Sequence, residues 1–236
     1  MEKVGKFFLG IMDSFYNTLI YDNRYKYILE GLFNTIIIAL FAVVIGIIIG
    51  TIVALIRDNH DKNGKLVVLN SLAKAYVNII RGTPVILQLM IIYYVIFKSV
   101  NINIVIVSIL AFGINSGAYV SEIIRAGINS ISVGQTEAGY ALGFKYGEVM
   151  RLIVLPQAIK NILPALGNEF VTLIKETSVG AYIGVVELTK ASDIIASRTY
   201  DYFFPLIIIA VIYLILTVGL SKLMSRLERK LNNVRG

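Results

Sequence analysis

Polar and charged side chains interrupt two long apolar stretches of the sequence at helical spacing. Residues three, four or seven positions apart share one face of a helix. A charged side chain inside a membrane costs about 2.5–3.5 kcal/mol on insertion scales, so such a group is a functional candidate by default. At that depth, carboxylates and amides can bind the ammonium group of a polar solute, and an ammonium or hydroxyl group can bind its carboxylate. The candidates are Asn115, Tyr119 and Glu122 in the first stretch, and Glu169, Thr172, Lys175, Glu176, Thr177 and Ser178 in the second.

The two sets of polar residues are predicted to lie at similar depth. At 1.5 Å per helical residue, Asn115 lies about 16 Å from the outer end of its stretch. Lys175 and Glu176 lie about 21 Å from the inner end of theirs. We therefore expect these groups to meet near the middle of a bilayer. Glu122 falls nearer the inner end, where a gate or an interfacial anchor is the alternative.

The elements that carry these residues are predicted to be membrane-spanning helices. Of 236 residues, 57% are hydrophobic and only 16% are charged, and the mean hydropathy is +0.76. Soluble domains are about 25% charged, so this chain lacks the polar surface of a soluble globule. The fold class is therefore an all-α polytopic membrane protein. Five uncharged or nearly uncharged runs give the predicted spans, at about 31–56, 83–98, 104–124, 161–186 and 203–221.

The ends of the chain are predicted to lie on opposite sides of the membrane. Residues 1–25 form an amphipathic interfacial helix, which lies on the membrane surface or packs on the protein itself. The transmembrane region follows over residues 26–225, and a basic tail over 226–236 ends the chain. With the N-terminus outside and the C-terminus inside, the inner segments hold about twice as many lysines and arginines as the outer ones. That distribution follows the positive-inside rule.

Several classes of function are excluded by what the sequence lacks. There is no cysteine and a single histidine, so neither disulfides nor thiolate metal sites are expected. No G-x-x-x-x-G-K-[ST], G-x-S-x-G or H-E-x-x-H run occurs, which argues against nucleotide hydrolysis and against a membrane enzyme. The net charge of +7 arises largely from residues just beyond the apolar runs. It therefore indicates contact with membrane lipid, and we expect no nucleic-acid partner.

A polar, turn-rich loop at about 126–160 separates the third and fourth spans. From Gln135 it reads QTEAGYALGFKYGEVMRLIVLPQAIKNILPALGN. The pattern predicts a short helix, a break at Gly143, a second helix that ends before Pro156, and a new helix that begins near Pro164. On the inner face such a helix–turn–helix could seat in a groove on a cytosolic partner, and an ordinary connecting loop is the alternative.

This loop resembles the EAA coupling loop of permeases in ATP-binding-cassette (ABC) importers. Gly139 departs from the second alanine that is usual there, which would loosen one helical turn by about 1 kcal/mol. Three further segments resemble the polar amino acid permeases, which include histidine, arginine and glutamine importers: RGTPVILQLMIIYY, NSGAYVSEIIRAGINSI and LPALGNEFVTLIKETSVGAYIGVVEL. The similarity covers about residues 28–225. The residues carried over as coupling to an ATPase are Glu137, Ala138, Gly143, Leu155 and Pro156, and Ile153 completes the motif.

The resemblance implies a type I ABC importer permease in a bacterial cell membrane. Its partners would be a second permease, either another copy or a related chain, two ATP-binding subunits and an extracytoplasmic amino-acid-binding protein. ATP and magnesium would be bound by the ATPase, and this chain would bind no cofactor. ATP-driven closure of the ATPase pair would turn the cavity outward, and hydrolysis would reset it.

The embedded charges leave the substrate and their own role open. Several acids favour cationic amino acids (arginine, lysine or histidine) over glutamine or cystine. Alternatively, Lys175 neutralises Glu169 or Glu176 across a dimer interface and the charges are structural. The same three residues would also suit a proton relay in an ion-coupled secondary carrier, in which the coupling loop would have no purpose.

Overall fold

The computed structural model describes the backbone of residues 2–233 and the side chains of residue 10 and residues 12–230. The described chain contains helices and no strand, which confirms the all-α class. Between α1 and α2 lies a 3₁₀ turn, Tyr21–Asn23; π-helical turns follow α4 (Ile92–Ile96) and α7 (Met150–Val154), and a 3₁₀ segment, Thr177–Ile183, follows α8. The helices are α1 Glu2–Leu19, α2 Tyr25–Asn63, α3 Val67–Gly82, α4 Val85–Ile91, α5 Ile104–Asn129, α6 Val133–Ala141, α7 Tyr146–Val149, α8 Leu155–Glu176, α9 Leu188–Thr199 and α10 Phe203–Asn233.

Four helical runs are long and apolar enough to cross a membrane: α2, α5, the run from Tyr146 to Ile183, and α10. The axis of α3 meets that of α4 and its π turn at an angle of 108°. The helix breaks at Thr83 and Pro84, where both residues adopt extended backbone angles between the two helices. Proline disfavours helical geometry in the residue before it. Counted as one bent span, the pair brings the number of candidate spans to five.

Helices α2 and α5 pack against each other through glycines, a contact that we call the glycine seam: Gly46 and Gly50 on α2, and Gly113 and Gly117 on α5. A Cβ atom on Gly50 would lie 2.6 Å from a side-chain carbon of Val120. A Cβ on Gly46 or Gly113 would lie 2.7 Å from a side-chain atom of the facing helix, and one on Gly117 would lie 2.8 Å from Ile49 Cγ2. Small residues let helix backbones approach closely in a membrane, so the two helices form one tightly packed pair.

One predicted helix boundary is wrong, because the helix does not end before Pro156. The π turn at Met150–Val154 runs directly into α8, where proline occupies the second position. Pro156 cannot donate a backbone hydrogen bond, so the ladder of this continuous run is interrupted there, directly after the π turn. No new helix begins at Pro164, which lies inside α8.

The two ends of the chain extend the bundle. The predicted N-terminal helix is present as α1, which contacts α9 and α10; the side chains of residues 1–9 and 11, most of its predicted apolar face, lie outside the described part. The predicted basic tail begins as a continuation of α10 to Asn233. Residues 234–236 lie outside the described residues.

Candidate functional site

A chain of polar side chains connects the bend between α3 and α4 to α5. The Gln88 Nε2 group donates hydrogen bonds to the Thr83 hydroxyl and to the Ile80 carbonyl, both at 2.8 Å. Its Oε1 atom accepts one from Asn115 Nδ2 at 2.9 Å. Gln88 thus binds a carbonyl at the bend and also fixes the amide of Asn115, which is 3% exposed.

The neighbouring residue on α5 binds the candidate carboxylate on α8. The Ser116 hydroxyl donates to Glu169 Oε1 at 2.8 Å. Thr172 and Glu176 continue the same face of α8, and all three are partly exposed. α5 thus contacts the bend through Asn115 and α8 through Ser116, and we call these two hydrogen bonds of neighbouring α5 residues the polar cluster.

An arginine contacts Tyr119, which lies one helical turn from Asn115 on α5. The Arg81 guanidinium lies 5.4 Å from the ring centroid of Tyr119, which is cation–π distance. None of the ion pairs between described residues includes Arg81. The contacts of Arg81 and Gln88 join different helices, so they cannot be inferred from spacing along one helix.

Three predicted pathway residues lie apart from the cluster. Lys175 lines a groove of about 420 Å³ between α8 and α10, together with Lys222 and Arg229. The Thr177 hydroxyl donates to the Ile174 carbonyl at 2.8 Å, and the Ser178 hydroxyl donates to the Lys175 carbonyl at 2.7 Å. Both hydroxyl protons are thus already used at the end of α8.

Glu122 belongs to an ion-pair network that joins α2 to α5. It pairs with Arg57 and lies 3.8 Å from Arg125, which also pairs with Asp61 at 2.9 Å. Glu122 is seven residues from Asn115, about 10 Å along the helix. Its observed contacts are those of an anchor between the two helices.

The loop that resembles a coupling loop (about residues 126–160) is a compact knob beyond this network. α6 and α7 are joined at Gly143, whose positive φ of 85° favours glycine. Glu137 and Ala138 are exposed on α6, and Leu142 beside them is 75% exposed. On the other side of the knob, residues of α7, its π turn and α8 pack against α2 and α5. This buried cluster consists of Ala54, Val120, Ile124, Ile128, Val149, Met150, Val154, Ala158 and Ile162; Leu155 is half-buried and Pro156 exposed.

Tyr146, the first residue of α7, ties the knob to α2. Its hydroxyl donates to Asp58 Oδ2 at 2.6 Å, and Lys62 pairs with the other oxygen of Asp58 at 2.9 Å. The helical run from Tyr146 to Ile183 has 38 residues, about 57 Å where the hydrocarbon core needs about 30 Å. Tyr146 therefore lies beyond the spanning part. Burial and the hydrogen bond to Asp58 raise the pKa of Tyr146 above its ordinary range, so the phenol keeps its proton and is the donor.

Gly139, which stands where the usual loop has alanine, packs closely against α7 and its π turn within the knob. A Cβ there would lie 2.8 Å from Ile153 Cδ1 and 2.9 Å from Val149 Cγ2. Helix propensity alone predicts that Gly139→Ala would stabilise the protein by roughly 1 kcal/mol. Because of these close contacts, we expect no gain in stability, or a small loss.

Thermal melting in detergent of Gly139→Ala, Ile153→Val and the double variant measures this balance. Ile153→Val removes the obstructing Cδ1, so the double variant should be more stable than the sum of the single changes. Simple additivity, with a gain from alanine alone, would contradict the packing of α6.

Among the described residues, no group of three histidine, aspartate or glutamate side chains could hold a metal ion. The site thus consists of a polar cluster between α4, α5 and α8, and an exposed helical knob tied to α2.

Comparisons with known proteins agree with this architecture. Residues 46–233 match the family model for the binding-protein-dependent transport system inner membrane component. The chain is 40% identical over 213 residues to a putative glutamine transport system permease protein of Rickettsia prowazekii (strain Madrid E), covering 89% of this chain and 95% of the relative. It is also 40% identical over 209 residues to an arginine transport system permease protein of Bacillus subtilis (strain 168), covering 88% and 93%.

Solved structures show the same fold. A crystal structure of an amino acid ABC transporter with histidines matches with a TM-score of 0.81 and 42% identity, over 87% of this chain and 94% of that one. An inward-facing methionine ABC transporter, MetNI, matches with a TM-score of 0.75 at 20% identity, over 90% and 99%, which shows the fold alone. ATP hydrolysis in such transporters belongs to a separate subunit. The chain therefore belongs to the family of binding-protein-dependent inner membrane components, as a multi-pass permease subunit of an amino acid ABC importer.

Proposed function

We propose that this permease imports cationic amino acids: arginine, lysine or histidine. The observation that carries the proposal is the Glu169 carboxylate, which accepts a hydrogen bond from the Ser116 hydroxyl at 2.8 Å. Glu176 lies two turns further along the same face. Two carboxylates on one face, partly exposed in the interior of a bundle, suit a solute that brings its own positive charge.

A neutral substrate would leave these charges unpaired. Removing one partner of a buried charged pair is costly because the remaining charge has lost its water. A site built around a charged partner rejects an analogue that lacks that partner more strongly than an apolar pocket rejects a size variant. We therefore expect glutamine to compete poorly with arginine.

The contacts suggest a role for each group around the substrate. Glu169 and Glu176 would bind the cationic side chain and the ammonium group, with Thr172 between them. Asn115, Tyr119 and Arg81 would face the carboxylate, because Arg81 has no acidic partner among the described side chains. Since Lys175, Thr177 and Ser178 face away or are already hydrogen-bonded, they would have secondary roles.

The coupling loop would face the cytoplasm and bind the ATPase, which would hold ATP and magnesium. The exposed side of α6 supports this assignment, and the N-terminus would then lie outside. The coupling residues would be Glu137, Ala138, Gly143, Leu155 and Pro156. A second permease, another copy or a related chain, would complete the pathway in the bacterial inner membrane, and an extracytoplasmic binding protein would deliver the amino acid.

Glutamine import is the second candidate, because relatives named for glutamine and for arginine are each 40% identical to this chain. The names do not separate the two substrates. The carboxylates at Glu169 and Glu176 favour the cationic one.

Uptake by proteoliposomes that contain the permease, its ATPase and the binding protein tests the proposal. We expect ATP-dependent uptake of labelled arginine that lysine and histidine compete for, that glutamine does not, and that a proton ionophore leaves unchanged. If the complex took up glutamine and did not take up arginine, the cationic assignment would be overturned. Uptake that needs a proton gradient and ignores ATP would contradict the ABC importer mechanism itself.

A further inference from the structure

Asp58 is a buried carboxylate at the point where α2 leaves the bundle. It is 4% exposed, and Lys62, one turn further on, pairs with it at 2.9 Å. That pair alone would leave one carboxylate oxygen without a partner in a buried position. The Tyr146 hydroxyl supplies that partner at 2.6 Å, from 88 residues away in the sequence.

Tyr146 lies on the side of the knob that contacts α2. It follows directly on the segment that contains Gly143, and its ring packs against the buried cluster below α6 and α7. Lys145 and Glu148 close the first turn of α7, since the Lys145 N–H donates to Glu148 Oε2 at 2.8 Å. α7 is thus a stiff, capped turn whose only side-chain hydrogen bond to α2 among the described residues is that of Tyr146.

The same stretch of α2 also holds α5. Arg57 pairs with Glu122, and Asp61 pairs with Arg125 at 2.9 Å. Toward the middle of the bundle, the glycine seam continues the contact between the two helices. A displacement of the end of α2 therefore moves α5 with it, and α5 carries Asn115 and Ser116 of the polar cluster.

We infer that the Tyr146–Asp58 hydrogen bond is the link by which the coupling loop moves the α2–α5 pair, and hence the polar cluster, during transport. This inference rests on the proposed function of the loop. Tyr146 and Asp58 are positioning residues, because neither contacts the polar cluster. Without this hydrogen bond, the loop would still bind the ATPase, but a displacement of the loop would move α5 less.

Tyr146→Phe tests the link because it removes one oxygen atom and leaves the ring in place. We expect the complex with the ATPase to assemble and to hydrolyse ATP at its basal rate. The uptake per ATP hydrolysed should fall about tenfold, since a hydrogen bond to a charged group is among the stronger ones. Tyr16→Phe, at a 53% exposed tyrosine of α1 outside the coupling loop, should keep the wild-type ratio.

The ratio is measured with whichever of arginine, lysine, histidine and glutamine the wild-type complex transports best. A wrong substrate assignment then leaves this test intact, whereas absence of any ATP-dependent uptake by the wild type would contradict the proposed function. An unchanged ratio in Tyr146→Phe, even with a lower melting temperature, would reduce the bond to a structural contact and overturn the inference.

A cross-linking experiment covers the case in which Tyr146→Phe folds poorly. The chain has no native cysteine, so Asp58→Cys with Tyr146→Cys gives one reactive pair. Before cross-linking, this variant should show the lowered ratio; a short bifunctional thiol reagent that rejoins the two positions should restore it. If the joined protein hydrolyses ATP but does not regain uptake, the contact does not transmit motion.

Discussion

Gly50→Val is expected to prevent most of the protein from accumulating in a folded form. A Cβ at Gly50 would lie 2.6 Å from Val120 Cγ1 and 2.9 Å from the backbone nitrogen of Ser121. The backbone atom cannot move aside as a side chain can, so α2 and α5 would have to separate. Overpacking typically costs about 1–3 kcal/mol, and we expect this change to reach or exceed the upper end.

The measurement is the fraction of protein that elutes as a single species from size exclusion in detergent, with its melting temperature. Gly219→Val on α10 is the matched control, because nothing lies within 4 Å of a Cβ at that position. If both variants were equally stable, the glycine seam would not be a close contact.

Glu169→Gln is expected to lower the uptake of arginine about 10- to 100-fold, chiefly through a higher KM. The carboxylate is the group that would meet the positive charge of the substrate, and charged hydrogen bonds contribute about 1.5–3 kcal/mol. Glutamine keeps the size of the side chain and can still accept the hydrogen bond from Ser116. Ser116→Ala, which leaves the charge and removes its hydrogen bond, should have a smaller effect.

Concentration-dependent uptake of arginine by proteoliposomes gives the two kinetic constants. Glu228→Gln, at an exposed position of α10, controls for the loss of one negative charge. An equal fall in the maximal rate for every amino acid tested, with KM unchanged, would favour the alternative in which Glu169 is a structural counter-ion.

Hydropathy was sufficient to predict the long apolar helices. Uncharged runs predicted α2, α5 and α10, and the span at about 83–98 that contains α4. The predicted helix end before Pro156 is wrong, because a proline marks a boundary only when its position within the helix is known. Here a π turn precedes it, and the helical run continues through it.

Contacts between helices could not be predicted from one helix at a time. Spacing placed Asn115 and Glu122 on one face of α5, but Asn115 binds Gln88 at the bend whereas Glu122 pairs with Arg57. Asp58 and Tyr146 are 88 residues apart, and no periodicity relates them. The aspartate itself was a signal, since it lies at the end of a long apolar helix and becomes buried there.

The glycine seam also bears on the order of events during synthesis. Gly50 leaves the ribosome 63 residues before Gly113 (113 − 50), which is about 3–13 seconds at 5–20 residues per second. During that interval α2 must persist in the lipid without its partner. Glycines present no side chain that lipid would have to accommodate, and the open backbone they leave is the surface that α5 later covers. Newly inserted α2 can therefore remain unpaired in the lipid. The pair forms by lateral diffusion once α5 has also entered the bilayer.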